Sequence, residues 1–344
     1  MKTKKMTAAL LALALAMMTA ACGNSAQTST STDTSAQTSN QQEEREKETI
    51  RIAGLKGPTA IGMVKMMEDA ENGETADNYE FTLAGSADEL TAPILQGEFD
   101  IAAVPTNLAA VLYQKSEKNI QLAALNTLGV LYVVEAGDSI QSVEDLKGHT
   151  IYNTSKGSIP EYAFNYIVEQ NGLDPATDMQ VEYLSEHAEV AALLANGQAD
   201  TAVLPQPFVT SVLSQNENVR VALDLTEEWD QVGGGSSLTM GCIVVQKDFA
   251  EEHPEALADF MEAYGESVAY VNDEANLQEA AQLTEKFDII KAAVAEKAIP
   301  ACNIVFITGD DMQQRTEGFL QVLYDANPTA VGGTMPDEAF YYKN

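Results

Sequence analysis

The chain has 344 residues, with 52 acidic side chains against 19 basic ones and a formal net charge of −33. Three of the basic residues, Lys2, Lys4 and Lys5, sit in the first few positions, so the remainder is more acidic still; such a surface repels nucleic acid and anionic lipid heads and excludes both as partners. With 45% hydrophobic residues, the part beyond the leader suffices for two domains of ordinary size.

Residues 1–21 have a basic end, an apolar run from Ala8 to Met18 and small residues before a cysteine, the pattern of an export signal and not of a membrane span. Thr19-Ala20-Ala21-Cys22-Gly23 resembles the lipobox of bacterial lipoproteins, with Thr19 where leucine is usual. The resemblance implies cleavage before Cys22 and lipidation of its thiol. Residues 22–48 are mostly Ser, Thr, Gln and Asn, bury too little to fold, and read as a disordered tether between a lipid and a folded domain.

The folded part opens with a buried-strand pattern, Thr49-Ile50-Arg51-Ile52-Ala53, a turn through Gly54-Leu55-Lys56-Gly57 and a helix begun by Pro58 with Ile61, Val64 and Met67 on its apolar face. A strand from Tyr79 to Ala84 and a helix from Ala87 to Gln96 follow. They lead to Leu95-Gln96-Gly97-Glu98-Phe99-Asp100-Ile101-Ala102-Ala103-Val104-Pro105: helix end, Gly turn, Asp, short strand, Pro. One hundred positions later Ala195-Asn196-Gly197-Gln198-Ala199-Asp200-Thr201-Ala202-Val203-Leu204-Pro205 says the same. Six residues agree in register over the seventeen positions from Glu89 to Pro105, where average composition gives about one. Lys56-Gly57 faces Lys156-Gly157, and Asn119 to Ala123 answers Asn218 to Ala222, so two homologous α/β lobes are expected.

Between the lobes run two continuous apolar segments, Leu128 to Val134 and Leu238 to Val245, which read as crossing strands and a hinge. Residues 49–134 and 238–344 then form the first lobe and 135–237 the second. Cys242 and Cys302 could form one disulfide or be two small buried side chains.

The lipobox, the loop Gly54-Leu55-Lys56-Gly57-Pro58-Thr59, the repeated Gly-x-x-Asp-x-Ala strand, Asp145-Leu146-Lys147-Gly148 and Glu252-His253-Pro254-Glu255 together resemble the extracytoplasmic solute-binding proteins of ABC importers. They are most similar to the group that includes thiamine-precursor, riboflavin, nitrate and alkanesulfonate binders. The resemblance implies the two-lobed type II periplasmic-binding-protein fold, α/β, each lobe a parallel-rich sheet flanked by helices. It also implies a small-molecule ligand in the interlobe cleft, a permease and an ATPase as partners, no cofactor, no metal and no catalytic residue. A monomer outside the cytoplasm, held to the membrane by its N-terminal lipid only, is expected.

Ligands of open α/β sheets bind at the C-terminal ends of the strands, where helix N-termini also point. The candidate contacts are therefore loop tips: Lys56, Gly57 and Thr59; Gly85 and Ser86; Thr106 and Asn107; Asn126 and Thr127. From the second lobe come Thr154, Ser155, Lys156, Gly157 and Ser158; Glu186 and His187; Gln206 and Phe208. Ser158 and Glu161 have the spacing of a capping box, so a helix starting there would set free N–H groups beside two hydroxyls and the Lys156 ammonium, suited to an anion. An ordinary capped helix with a solvated lysine gives the same pattern, and a Phe at 208 can equally be core. The Gly233-Gly234-Gly235 run suggests a flexible approach to the hinge or cleft.

Only Arg45, Arg51, Arg220 and Arg315 exist, and none falls on a candidate loop. A bidentate grip on an α-carboxylate needs the guanidinium fork, so an amino-acid ligand is disfavoured. A thiamine-precursor-like or other heteroaromatic solute and an alkanesulfonate both stay open. Two rival readings are an enzyme of the same fold acting on a small aromatic or chorismate-derived substrate and a ligand-sensing module for a signalling partner. Against the first, the chain has no HExxH and no Cys/His cluster of ligand spacing.

Overall fold

A computed structural model describes residues 46–154 and 156–343. The leader, the lipobox with Cys22 and nearly all of the tether lie outside the described residues, as does Ser155. In chain order the strands are β1 (Thr49–Leu55), β2 (Asn78–Ala84), β3 (Ile101–Pro105), β4 (Ile120–Thr127), β5 (Leu131–Ala136) and β6 (Thr150–Thr154). They continue as β7 (Gln180–Leu184), β8 (Thr201–Pro205), β9 (Val219–Asp224), β10 (Gly241–Gln246) and β11 (Ile304–Ile307).

Two mixed sheets flanked by helices result, ordered β2-β1-β3-β10-β4-β11 and β7-β6-β8-β5-β9. In the first, β1 runs parallel to β2 and β3, and β10 enters antiparallel between β3 and β4. In the second, β6 runs parallel to β7 and β8, and β5 enters antiparallel between β8 and β9. Without β11 the two sheets share one topology, so the echo in the sequence is a repeat of structure. Its Gly turns coincide: Gly97 and Gly197 both follow the ends of nine-residue helices, Ala87–Leu95 and His187–Ala195, at φ 71° and 66°, where a β-carbon would be strained.

The apolar runs expected to cross between lobes are instead strands inside the sheets. The sequence boundary at Val134 falls within β5, which pairs with β8 and β9 throughout. Crossing is left to the short segments 128–130 and 233–240. Asn303 pins the first: Leu128 N–H donates to its carbonyl (3.0 Å) and its Nδ2 donates to Gly129 O (2.7 Å). The glycine run at 233–235 is tied rather than loose, because Ser236 Oγ donates to Gly233 O (2.6 Å) and accepts the indole N–H of Trp229 (3.1 Å).

The helix after Pro58 breaks into Pro58–Ile61 and Val64–Asn72. Ser267 bridges the break, donating to Gly62 O (2.7 Å) and accepting from Met66 N (3.2 Å). Behind the first sheet, Ile50, Ile52, Met63, Phe260 and Tyr264 form one core. Another runs unbroken from the first lobe into the second through Val104, Leu131, Phe164, Trp229 and Phe319, while Val134, Val190 and Leu204 pack on the opposite face of the second sheet. Cys242 and Cys302 are both buried free thiols, so no disulfide joins them.

Candidate functional site

Strands β1, β3 and β8 end at Leu55, Pro105 and Pro205, and all three residues face one interlobe cleft of about 410 Å³. The first lobe contributes the turn Lys56-Gly57-Pro58-Thr59, Ala87, Asp88 and Thr91, then Asn107, Leu108 and Thr127, and the second crossing segment contributes Met240. The second contributes Ser158-Ile159-Pro160, His187 and Gln206-Pro207-Phe208, with Val130 from the crossing segment. Helices Ala87–Leu95, Thr106–Lys115, Ile159–Gln170, His187–Ala195 and Phe208–Gln215 therefore open onto the cleft with their first turns, whose backbone N–H groups have no partner within the helix.

Of the residues named from sequence, Lys56, Gly57, Thr59, Asn107, Thr127, Ser158, His187, Gln206 and Phe208 line this cleft. Others stand one layer behind it. Thr154 Oγ1 is 2.5 Å from His187 Nδ1, and Asn126 donates to Thr59 O (3.4 Å) and accepts from Thr127 Oγ1 (3.0 Å). Thr106 is buried without lining the cleft. Ser86 Oγ turns to Glu89 (2.8 Å) at an exposed helix start. Lys156 and Gly157 face away, toward an outer groove of about 880 Å³ between helix Ile159–Gln170 and residues 322–327.

Of the anion trap expected at 154–161, the described residue Lys156 does not turn to the cleft. Lys156 Nζ lies 5.4 Å from the centre of the Tyr183 ring, Glu161 accepts the Gly157 N–H, and Ser158 caps the helix without a side-chain bond to it. Although the outer groove is the larger, no strand tip reaches it, so the interlobe cleft is the candidate site.

Among the described residues the cleft has no free positive side chain. Lys56 is bound to Asp288 at 2.7 Å, and Asp88 contributes a carboxylate. Burial pushes the His187 imidazole down to about 4, so the ring is neutral at neutral pH; it lies 5.5 Å from the Phe208 ring, centre to centre. What the sequence reading missed is mostly apolar: Pro58, Pro105, Pro160, Pro205 and Pro207 form much of the wall, and Met240 and Val130 come from the crossing segments. The prolines were legible only as strand ends and helix starts.

The sequence profile of the family described as ABC transporter, phosphonate, periplasmic substrate-binding protein matches residues 73–297. No curated protein sequence matches the chain. Among solved structures, an ABC transporter protein from Parabacteroides distasonis is similar at TM-score 0.73 and 25% identity, over 86% of this chain and 99% of that one. The periplasmic aliphatic sulphonate binding protein SsuA of Escherichia coli has TM-score 0.68 and 17% identity, covering 87% and 93%. The alkanesulfonate-binding protein SsuA of Xanthomonas axonopodis, bound to MOPS, has 0.61 and 15%, covering 85% and 96%; these two speak for the fold alone. With more than half of its length matched, the chain belongs to the phosphonate-type periplasmic substrate-binding proteins of ABC importers, which are not enzymes but pass small ligands to permease and ATPase subunits.

Proposed function

We propose that the cleft captures a compact, largely apolar organic solute that is neutral or singly charged, and not a phosphonate dianion. The lack of free positive charge carries this reading: among the described residues the one ammonium lining the cleft, on Lys56, is already held by Asp288, Asp88 adds a carboxylate, and no guanidinium lines it. A dianion drawn into such a cleft would lose its hydration without gaining a counter-charge. The proline walls and the Phe208 ring favour a flat heteroaromatic body. A second reading, an alkanesulfonate, is favoured by the helix first turns that open onto the cleft, which suit a single anionic head.

The test is a thermal-shift screen of the mature chain against pyrimidines, flavins, alkanesulfonates and alkylphosphonates. A ligand at 100 times its dissociation constant stabilises the fold by about 2.7 kcal/mol. Stabilisation by phosphonates alone would overturn the reading.

We further propose that Cys22 carries the lipid that holds a monomer at the membrane surface. Metabolic labelling with a fatty-acid analogue should mark the wild type and not Cys22→Ser, which should be released from cells.

A further inference from the structure

Three side-chain amides border the cleft or stand behind it, and the backbone fixes which way each one points. Asn126 is fully buried with Nδ2 3.4 Å from the Thr59 carbonyl. A carbonyl can only accept, so the amide nitrogen must lie on that side and Oδ1 on the other. Oδ1 is 3.0 Å from Thr127 Oγ1, so the Thr127 hydroxyl donates its one proton there. Thr127 lines the cleft, and its oxygen has only lone pairs left to offer. Asn107 behaves alike: Nδ2 donates to Ala330 O (3.4 Å), and among the described residues Oδ1 has no protein donor. Asp88 adds a carboxylate to this wall.

Gln206, in the second lobe, is held the opposite way round. Its Oε1 accepts the Thr210 backbone N–H (3.3 Å) and the Thr210 hydroxyl (2.8 Å). A backbone N–H can only donate, so the amide oxygen is fixed on that side. The NH₂ group remains, with no protein acceptor among the described residues, on a side chain only 5% exposed that lines the cleft. Helix first-turn N–H groups are present on both walls and do not distinguish them. Lys56 is a donor on the first-lobe wall, but Asp288 holds its ammonium at 2.7 Å; among the oriented amides and the Thr127 hydroxyl, those of the first lobe have acceptors left and that of the second has donors left.

We infer that the protein selects a ligand with an N–H or O–H donor on the edge meeting Thr127 and Asn107 and a hydrogen-bond acceptor on the edge meeting Gln206, as in an amino-substituted or lactam heterocycle. This inference rests on the reading of a compact, neutral or singly charged solute and chooses between its two branches. A sulfonate carries acceptors only and would leave the lone pairs of Thr127 and Asn107 buried against oxygen. Each group left unpaired costs roughly tenfold to a hundredfold in affinity. A ligand with both edges touches both lobes.

Titration calorimetry on the mature full chain tests this with 2-pyridone against 1-methyl-2-pyridone and 2-aminopyrimidine against 2-(dimethylamino)pyrimidine, N-methylated counterparts that lack the donor, and with butanesulfonate and methylphosphonate. The expected result is that a donor-bearing heterocycle binds at least about tenfold tighter than its N-methylated counterpart and tighter than butanesulfonate. Thr127→Val should shrink that ratio toward one, Thr127→Ser should keep it, and Gln206→Glu should abolish binding of the heterocycle, with unchanged melting of Thr127→Ser as the control for folding. Equal or tighter binding of the N-methylated probes or of butanesulfonate overturns the inference and leaves the small-solute reading standing. Binding of methylphosphonate alone, or of none of the probes, overturns both.

Discussion

The indole of Trp229, in the second lobe, lies 5.6 Å centre to centre from the ring of Phe319, on the helix Gly309–Ala326 that belongs to the first. Both side chains are fully buried and belong to one continuous core that joins the lobes. Trp229→Ala is expected to destabilise the protein by about 3–5 kcal/mol, through the cavity it leaves. Urea unfolding followed by circular dichroism measures it; a loss below 1 kcal/mol, on the order of a surface change, would refute the shared core.

Gly129 is the narrow point of the first crossing. A β-carbon there would stand 2.1 Å from Thr226 Oγ1, closer than any real contact. Gly129→Ala should cost about 1–3 kcal/mol by overpacking. Thr226→Ala removes the 2.1 Å and 3.0 Å contacts and leaves its own β-carbon at 2.9 Å, so adding it should restore part of the loss, a coupling that a double-mutant cycle reads directly.

The two repeat aspartates differ in what they hold. Asp100 accepts the Arg51 backbone N–H (2.8 Å) and Arg51 Nε (3.0 Å) and pairs with Nη2 (2.5 Å). The second lobe has Ile151 where the first has Arg51, and among the described residues the Asp200 carboxylate makes no hydrogen bond or ion pair. Asp100→Ala is expected to cost about 1.5–3 kcal/mol, as for hydrogen bonds to a charged group. Asp200→Ala should stay within about 0.5 kcal/mol. Equal losses in thermal melts would sink the distinction.

His187 titrates at about 4 in the folded chain because it is buried, against about 6.5 when unfolded. The unfolded chain therefore takes up the proton first. The contribution of the neutral ring to stability is complete above pH 6.5 and is lost as the pH falls from there toward 4. Stability measured against His187→Gln should narrow over that window, and an NMR titration should place the ring midpoint near 4. A midpoint at 6 or above would contradict the burial argument.

The repeat was legible in the sequence because its parts are local. A Gly that must take positive φ and a Pro that ends a strand occupy fixed positions in Leu95 to Pro105 and Ala195 to Pro205, and the fold puts both where expected. Lys156 was not legible in the same way. Its match with Lys56 holds at an offset of 100, but the helices that follow begin at Pro58 and Ile159, one residue further apart, and the second lysine turns out over Tyr183. The apolar runs after Leu128 and Leu238 announced strands correctly; their pairing partners lie tens of residues away, which local pattern does not encode.

The antiparallel insertions have a consequence for the order of assembly. Strands β5 to β9 are consecutive, so the second sheet can close as soon as its own stretch of chain exists. The first sheet cannot: between β3 and β4 a slot stays vacant until β10 emerges, after the whole second lobe has been made. Contacts of long sequence separation form late. Pulse-labelled hydrogen exchange during refolding should therefore protect the amides of β8 and β9 before those of β3 and β4, the younger half of the protein maturing ahead of the elder.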